Sequence, residues 1–165
     1  QACKALDHAF SQGLTHRDIK PSNFLLANEK GRCRVKLTDL GLAKMTNDEE
    51  CRVTRAGTTV GTVDYMAPEQ IRHEPLDQRA DIFSFGVMAY EVLTFRKPFI
   101  GETPEIVLRK QLDEKHPITP PRDLNDDIPI AVERIILKCL ERDPEKRFPN
   151  THVLVAQLQQ ALYVK

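Results

Sequence analysis

No apolar run in this 165-residue sequence is long enough to cross a membrane. The longest, Ile82 to Leu93, falls well short of the roughly 20 residues that a spanning helix needs, and it carries Ser84 and Glu91. Nor do the residues from Gln1 onward read as a secretory signal. Net charge is missing as well. The 24 basic and 24 acidic residues cancel, which excludes a global field drawing the chain to nucleic acid or to an anionic membrane. Any electrostatic function must be local. Cysteine is scarce and scattered: Cys3, Cys33, Cys51 and Cys139 include no Cys-x-x-Cys pair, a pattern that suits neither a zinc site nor a disulfide framework and fits a reducing compartment. None of the seven glycines falls in a Gly-x-Gly-x-x-Gly pattern. Internal repeats and low-complexity tracts are absent. These exclusions lead us to expect a soluble, cytoplasmic domain with one substantial core, no nucleic-acid partner and no membrane segment.

What is present is mostly helical patterning. Ala2, Ala5, Leu6, Ala9 and Phe10 lie on one stripe of a helix expected over 2–14 and ending at Gly13. It starts without a capping residue. Phe24 to Ala27 and Arg34 to Thr38 read as short strands around a turn-rich Asn28 to Gly31, so a hairpin is expected. Leu42 to Val63 has little periodicity, and a loop that long in a compact domain is usually functional or mobile. Ala67-Pro68-Glu69 opens a short helical turn. Asp77 suits the N-cap of a helix running to about Phe95, apolar nearly all round and so expected to be buried on every side. Thr103-Pro104-Glu105 combines a cap, a first-turn proline and an acid for the helix dipole. Val132, Ile135, Ile136, Cys139 and Leu140 mark an amphipathic helix begun near Pro129, and Leu154, Val155, Leu158 and Leu162 mark the last. The connection His116 to Pro121 reads as loop. The expected fold class is mainly α, with one small β-hairpin at an edge.

The chemistry concentrates in His16-Arg17-Asp18-Ile19-Lys20-Pro21-Ser22-Asn23. Phosphoryl transfer needs a carboxylate beside the attacking hydroxyl, a cation beside the moving phosphate and oxygen ligands for magnesium. Asp18, Lys20 and Asn23 carry those three chemistries. Their spacing resembles the catalytic loop of protein kinases, and Asp39-Leu40-Gly41, Gly61-Thr62, Ala67-Pro68-Glu69, Asp81 and Arg147 follow in the order of that family. The resemblance, to the C-terminal lobe of a eukaryotic-type serine/threonine protein kinase of bacterial style, runs from Gln1 to about Leu162. It implies a kinase-like helical lobe over 1–165, with a catalytic loop at 16–23 and an activation segment at 39–69.

The resemblance implies the following roles. Asp18 is the catalytic base, or the group that orients the substrate hydroxyl, and Lys20 contacts the transferred phosphate as in serine/threonine kinases. Asn23 and Asp39 bind Mg²⁺ against the phosphates of ATP, and Leu25 lies under the adenine ring. Leu40 stands where the family usually has phenylalanine, which leaves the balance of active and inactive forms open. Thr62 bonds the Asp18–Lys20 pair and faces the protein substrate. Arg17 and Lys44 grip a phosphorylated threonine, with Thr58 the best-placed acceptor, then Thr59, and Thr54 after them. An activating kinase or self-phosphorylation would supply that phosphate. Glu69 and Arg147 form a buried ion pair, and Asp81 accepts backbone hydrogen bonds from the catalytic loop; these three are structural. His16 reads as a core histidine that shapes the loop. Taken singly, each of these residues reads equally well as an ordinary turn or surface group.

A working kinase also needs a glycine-rich loop over the phosphates and a strand lysine paired to a helix glutamate. Only fifteen residues precede His16, and none supplies either part. The expectation is therefore a piece of a longer kinase, with negligible activity on its own. The rival expectation is a non-catalytic, kinase-like module that docks other proteins.

Overall fold

A computed structural model describes residues 1–39, the backbone of 44–45, and residues 63–163. The described residues form a mainly helical body with two small antiparallel sheets at one edge. Helix α1 (Ala2–Ser11) ends two residues before Gly13, whose φ of 77° places it in the left-handed region that stops a helix cleanly. Leu6 is buried from the expected stripe, and Cys3, which that stripe omitted, is buried with it.

Strand β1 (Leu14–Thr15) follows, then a single 3₁₀ turn over Pro21–Asn23. Strands β2 (Phe24–Glu29) and β3 (Arg32–Leu37) pair in register from Phe24 opposite Leu37 to Glu29 opposite Arg32. The hairpin is longer than its patterning suggested. Only Lys30 and Gly31 form the connection, both at positive φ (52° and 75°), the geometry of a tight two-residue turn that matches strand twist. Asn28, Glu29, Arg32 and Cys33 are thereby strand residues. Strand β4 (Lys44–Met45) pairs with β1, a contact that two-residue strands leave no pattern to announce.

The core is built on α3 (Gln78–Thr94). Asp77 caps it, accepting from the Arg79 amide at 2.7 Å, and Phe95 closes it in the left-handed conformation. Ile82, Phe83 and Val87 are wholly enclosed. Helix α2 (Pro68–Ile71) precedes α3. Behind it come α4 (Pro104–Leu112), α5 (Pro121–Leu124), α6 (Ile130–Cys139) and α7 (Thr151–Tyr163). Val132, Ile135, Ile136, Cys139 and Leu140 are all buried, so the whole apolar stripe of α6 faces inward. Leu154 and Val155 anchor α7, whereas Leu162 stands exposed near its end. At Gly86 an added Cβ would lie 2.7 Å from the Cβ of Cys139, so glycine is what lets α6 approach α3. Phe83 stacks on Phe99 with centroids 6.1 Å apart, and the guanidinium groups of Arg147 and Arg142 cover the two rings. No helix among the described residues is long and apolar enough to cross a membrane.

Candidate active site

The turn 16–23 is held from below by one carboxylate. Asp81, in the first turn of α3, accepts from the backbone amides of His16 and Arg17, each at 2.7 Å. Burial pushes the Asp81 carboxyl up to about 6, and the two amide hydrogen bonds work against that rise. Arg17 takes a φ of 67°, a left-handed conformation uncommon for a residue with a side chain. Both ends of its peptide are tied, since its carbonyl accepts from the Gln70 side chain at 3.0 Å. His16 is enclosed; its Nε2 lies 3.0 Å from the Thr38 carbonyl oxygen, and its Nδ1 lies 3.4 Å from the Asp18 amide. The imidazole thus spans the turn 16–23 and the end of β3.

Above this support, Asp18, Lys20 and Asn23 converge. Lys20 Nζ lies 2.7 Å from Asp18 Oδ2. Asn23 donates from Nδ2 to the Asp18 carbonyl at 2.7 Å and to its carboxylate at 3.3 Å. Asp18 and Asn23 are buried and Lys20 is partly exposed, so one carboxylate is locked in direction while a cation remains at the surface. With its amide nitrogen spent on Asp18, Asn23 has its Oδ1 left as an oxygen donor. Asp39 follows β3 with an exposed side chain and a φ of 62°. Leu25, on β2, is more than half exposed, which leaves an apolar surface at the hairpin face.

Residues 1–160 match the protein kinase domain family. The chain belongs to that family. It is 39% identical over 158 residues to a probable serine/threonine-protein kinase of Clostridium acetobutylicum, an alignment covering 96% of this chain and 23% of the relative. The serine/threonine-protein kinase Pkn1 of Myxococcus xanthus is 38% identical over 163 residues, covering 98% of this chain and 23% of the relative. The serine/threonine-protein kinase PknB of Mycolicibacterium smegmatis is 34% identical over 157 residues, covering 95% and 24%. The chain therefore spans about a quarter of the length of the curated relatives it matches.

Elsewhere in this kinase-family chain, Glu69 and Arg147 meet face to face, with guanidinium-to-carboxylate distances of 2.6 and 2.9 Å and both side chains out of solvent. Arg147 spends its remaining donors on the carbonyls of Glu141, Arg79 and Arg142, which satisfies the buried guanidinium completely. Arg17 is half-buried, and its Nε has no hydrogen-bond partner among the described residues. Leu40, Gly41, Thr54, Thr58, Thr59, Gly61 and Thr62 lie outside the described residues, and Lys44 is described only as part of β4. Among the described residues no group of three or more His, Cys, Asp or Glu could hold a metal.

Sequence reasoning missed Gln70. Its Oε1 accepts from the Ala67 amide at 2.9 Å while its Nε2 holds the Arg17 carbonyl, joining the start of α2 to the turn 16–23. A glutamine just inside a Pro68-Glu69 helix start was the available signal, since an amide at that position reaches back to the cap.

Proposed function

We propose that these residues form the C-terminal lobe of a serine/threonine protein kinase, with a catalytic loop at 16–23 and an activation segment at 39–69. In this reading the kinase transfers the γ-phosphate of Mg·ATP to Ser or Thr hydroxyls of proteins. The observation that carries it is the locked triad of Asp18, Lys20 and Asn23. Asp18 is aimed by Asn23 and would accept, or at least direct, the proton of the incoming hydroxyl. An ordinary carboxylate is a weak base, so its contribution is chiefly positional. Lys20, 2.7 Å from Asp18, would take the charge of the moving phosphate while keeping the hydroxyl and the phosphate on one side.

The donor set fits a magnesium ion. Mg²⁺ is held in such sites by one or two protein oxygens together with substrate phosphates, so Asn23 Oδ1 and the Asp39 carboxylate suffice without a larger acidic cluster. Bound there, the metal would offset phosphate charge. Leu25 offers the apolar surface on which a nucleobase would rest. The Nε of Arg17, without a partner among the described residues, suits a phosphate-binding role, and Thr58 or Thr59 phosphate would serve it together with Lys44. Thr62 would face the protein substrate. The free, buried thiols Cys3 and Cys139 agree with work in the cytoplasm.

The test is label transfer. The full-length gene product that carries these residues, given γ-labelled ATP, Mg²⁺ and a protein substrate, is expected to place label on serine or threonine. Thr58→Ala is expected to lower that rate; an unchanged rate would remove Thr58 from its assigned role. No label on protein with wild-type enzyme would overturn the kinase reading.

A further inference from the structure

The short segment Val63–Ala67 connects the proposed substrate-facing Thr62 to α2. It is fixed to the helical body by polar contacts that the reaction itself does not need. Ser84 donates to the Tyr65 carbonyl at 2.7 Å, and the Tyr65 hydroxyl donates to Glu91. Both acceptor and donor here belong to α3. A second set comes from the other side. Lys97, between α3 and α4, pairs with Asp64 and lies 5.4 Å from the centre of the Tyr65 ring. Gln111, in the last turn of α4, donates from Nε2 to the carbonyls of Val63 at 3.1 Å and Asp64 at 2.8 Å.

Gln111 is the unusual member. It is wholly buried, on the same face of α4 as buried Val107, where an apolar side chain of equal length would fill the space. Its Oε1 has no partner among the described residues. A buried, half-satisfied amide is a poor choice for packing alone, because the unpaired oxygen loses its water without compensation. Reversing the amide would only set its oxygen against two carbonyl oxygens. What the amide does is fix the direction of two consecutive peptide groups, those that carry the carbonyls of Val63 and Asp64.

We propose that Gln111, with Lys97, is a positioning residue for the protein substrate. It sets where the segment after Thr62 stands relative to Asp18, without touching nucleotide. The inference rests on the kinase reading above and adds α4 to the machinery that seats the substrate. An error at Val63–Asp64 would displace the hydroxyl-bearing peptide and leave the nucleotide side alone.

The experiment uses the full-length gene product and the Ser/Thr peptide that the wild type turns over fastest from a degenerate library. Gln111→Met and Lys97→Met are compared with wild type for peptide KM, ATP KM, kcat and thermal midpoint. Loss of two hydrogen bonds at Gln111→Met is expected to raise peptide KM on the order of tenfold, with ATP KM within about twofold; Lys97→Met should move peptide KM in the same direction by less. Gln111→Asn, which keeps the amide on a shorter stem, should recover part of the loss. An unmoved peptide KM in both methionine variants overturns the proposal, as does a fall in thermal midpoint and kcat with both KM values unchanged. If Gln111→Met fails to fold, Lys97→Met decides alone. A wild type that phosphorylates no peptide contradicts the kinase reading instead, so the two failures stay distinct.

Discussion

Asp18 is directed from three sides: by Lys20, by Asn23, and through the backbone by Asp81. That last group carries a pH signature. Burial raises the Asp81 carboxyl from 3.8 to about 6, so between those values the folded chain binds a proton that the unfolded chain releases. Stability then falls as pH rises, because the contribution of that proton is fully present only below the unfolded value and is lost as pH rises through the folded one. Asp81→Asn removes that titration. Thermal midpoints of wild type and Asp81→Asn, measured from pH 3.5 to 7, should show wild type losing ground to the variant between about pH 4 and 6. A difference that is flat across this window would show that Asp81 does not titrate there. The grouping of Asp18, Lys20 and Asn23 was legible in the sequence because the eight residues 16–23 resemble the catalytic loop of the kinase family. Gln70 and Gln111 were not. Their carbonyl partners lie 53 and about 47 residues away, and no spacing rule links a helix amide to a distant peptide group.

Among the elements, α3 was the easiest to read and the hairpin the easiest to misjudge. A helix apolar nearly all round belongs in a core, and α3 is buried from Ala80 to Met88, but Val92 near its end stands exposed, so the expectation of burial on every side fails there. The hairpin's turn chemistry decided its length, since Lys30 adopts positive φ beside Gly31. Lysine is an indifferent choice there, whereas Asn-Gly is favoured for such turns. Lys30→Asn is therefore expected to stabilise the chain by a few tenths of a kcal/mol to about 1, read as a higher denaturant midpoint; a lower midpoint would refute the turn assignment. The contact of α3 with α6 yields the opposite expectation. Gly86→Ala places a Cβ against Cys139 Cβ, which is fixed to the helix backbone, and near Leu140 Cδ2. It should cost about 1–3 kcal/mol through overpacking. An unchanged midpoint would mean that the two helices sit farther apart than described.

At the scale of the whole molecule, the Glu69–Arg147 pair joins residues 78 positions apart and ties the start of α2 to the connection between α6 and α7. Removing one partner strands the other charge in the interior. Glu69→Ala or Arg147→Ala should each destabilise the chain by about 3–5 kcal/mol, and the double variant should lose clearly less than the sum. Additive losses in denaturant unfolding would contradict a direct pair. Both residues could be matched to one another from the family resemblance. Their isolation from solvent, and the three carbonyls that complete the guanidinium's hydrogen bonding, required the fold. The turn 16–23 and the segment before α2 share one support on α3, through Asp81 and Ser84. The most direct test of the role proposed for Asp18 is kcat for Asp18→Asn in the full-length gene product, taken beside its affinity for Mg·ATP. kcat is expected to fall by at least roughly a hundredfold while nucleotide affinity stays within about twofold. Retained turnover, or turnover lost only together with nucleotide binding, would contradict it.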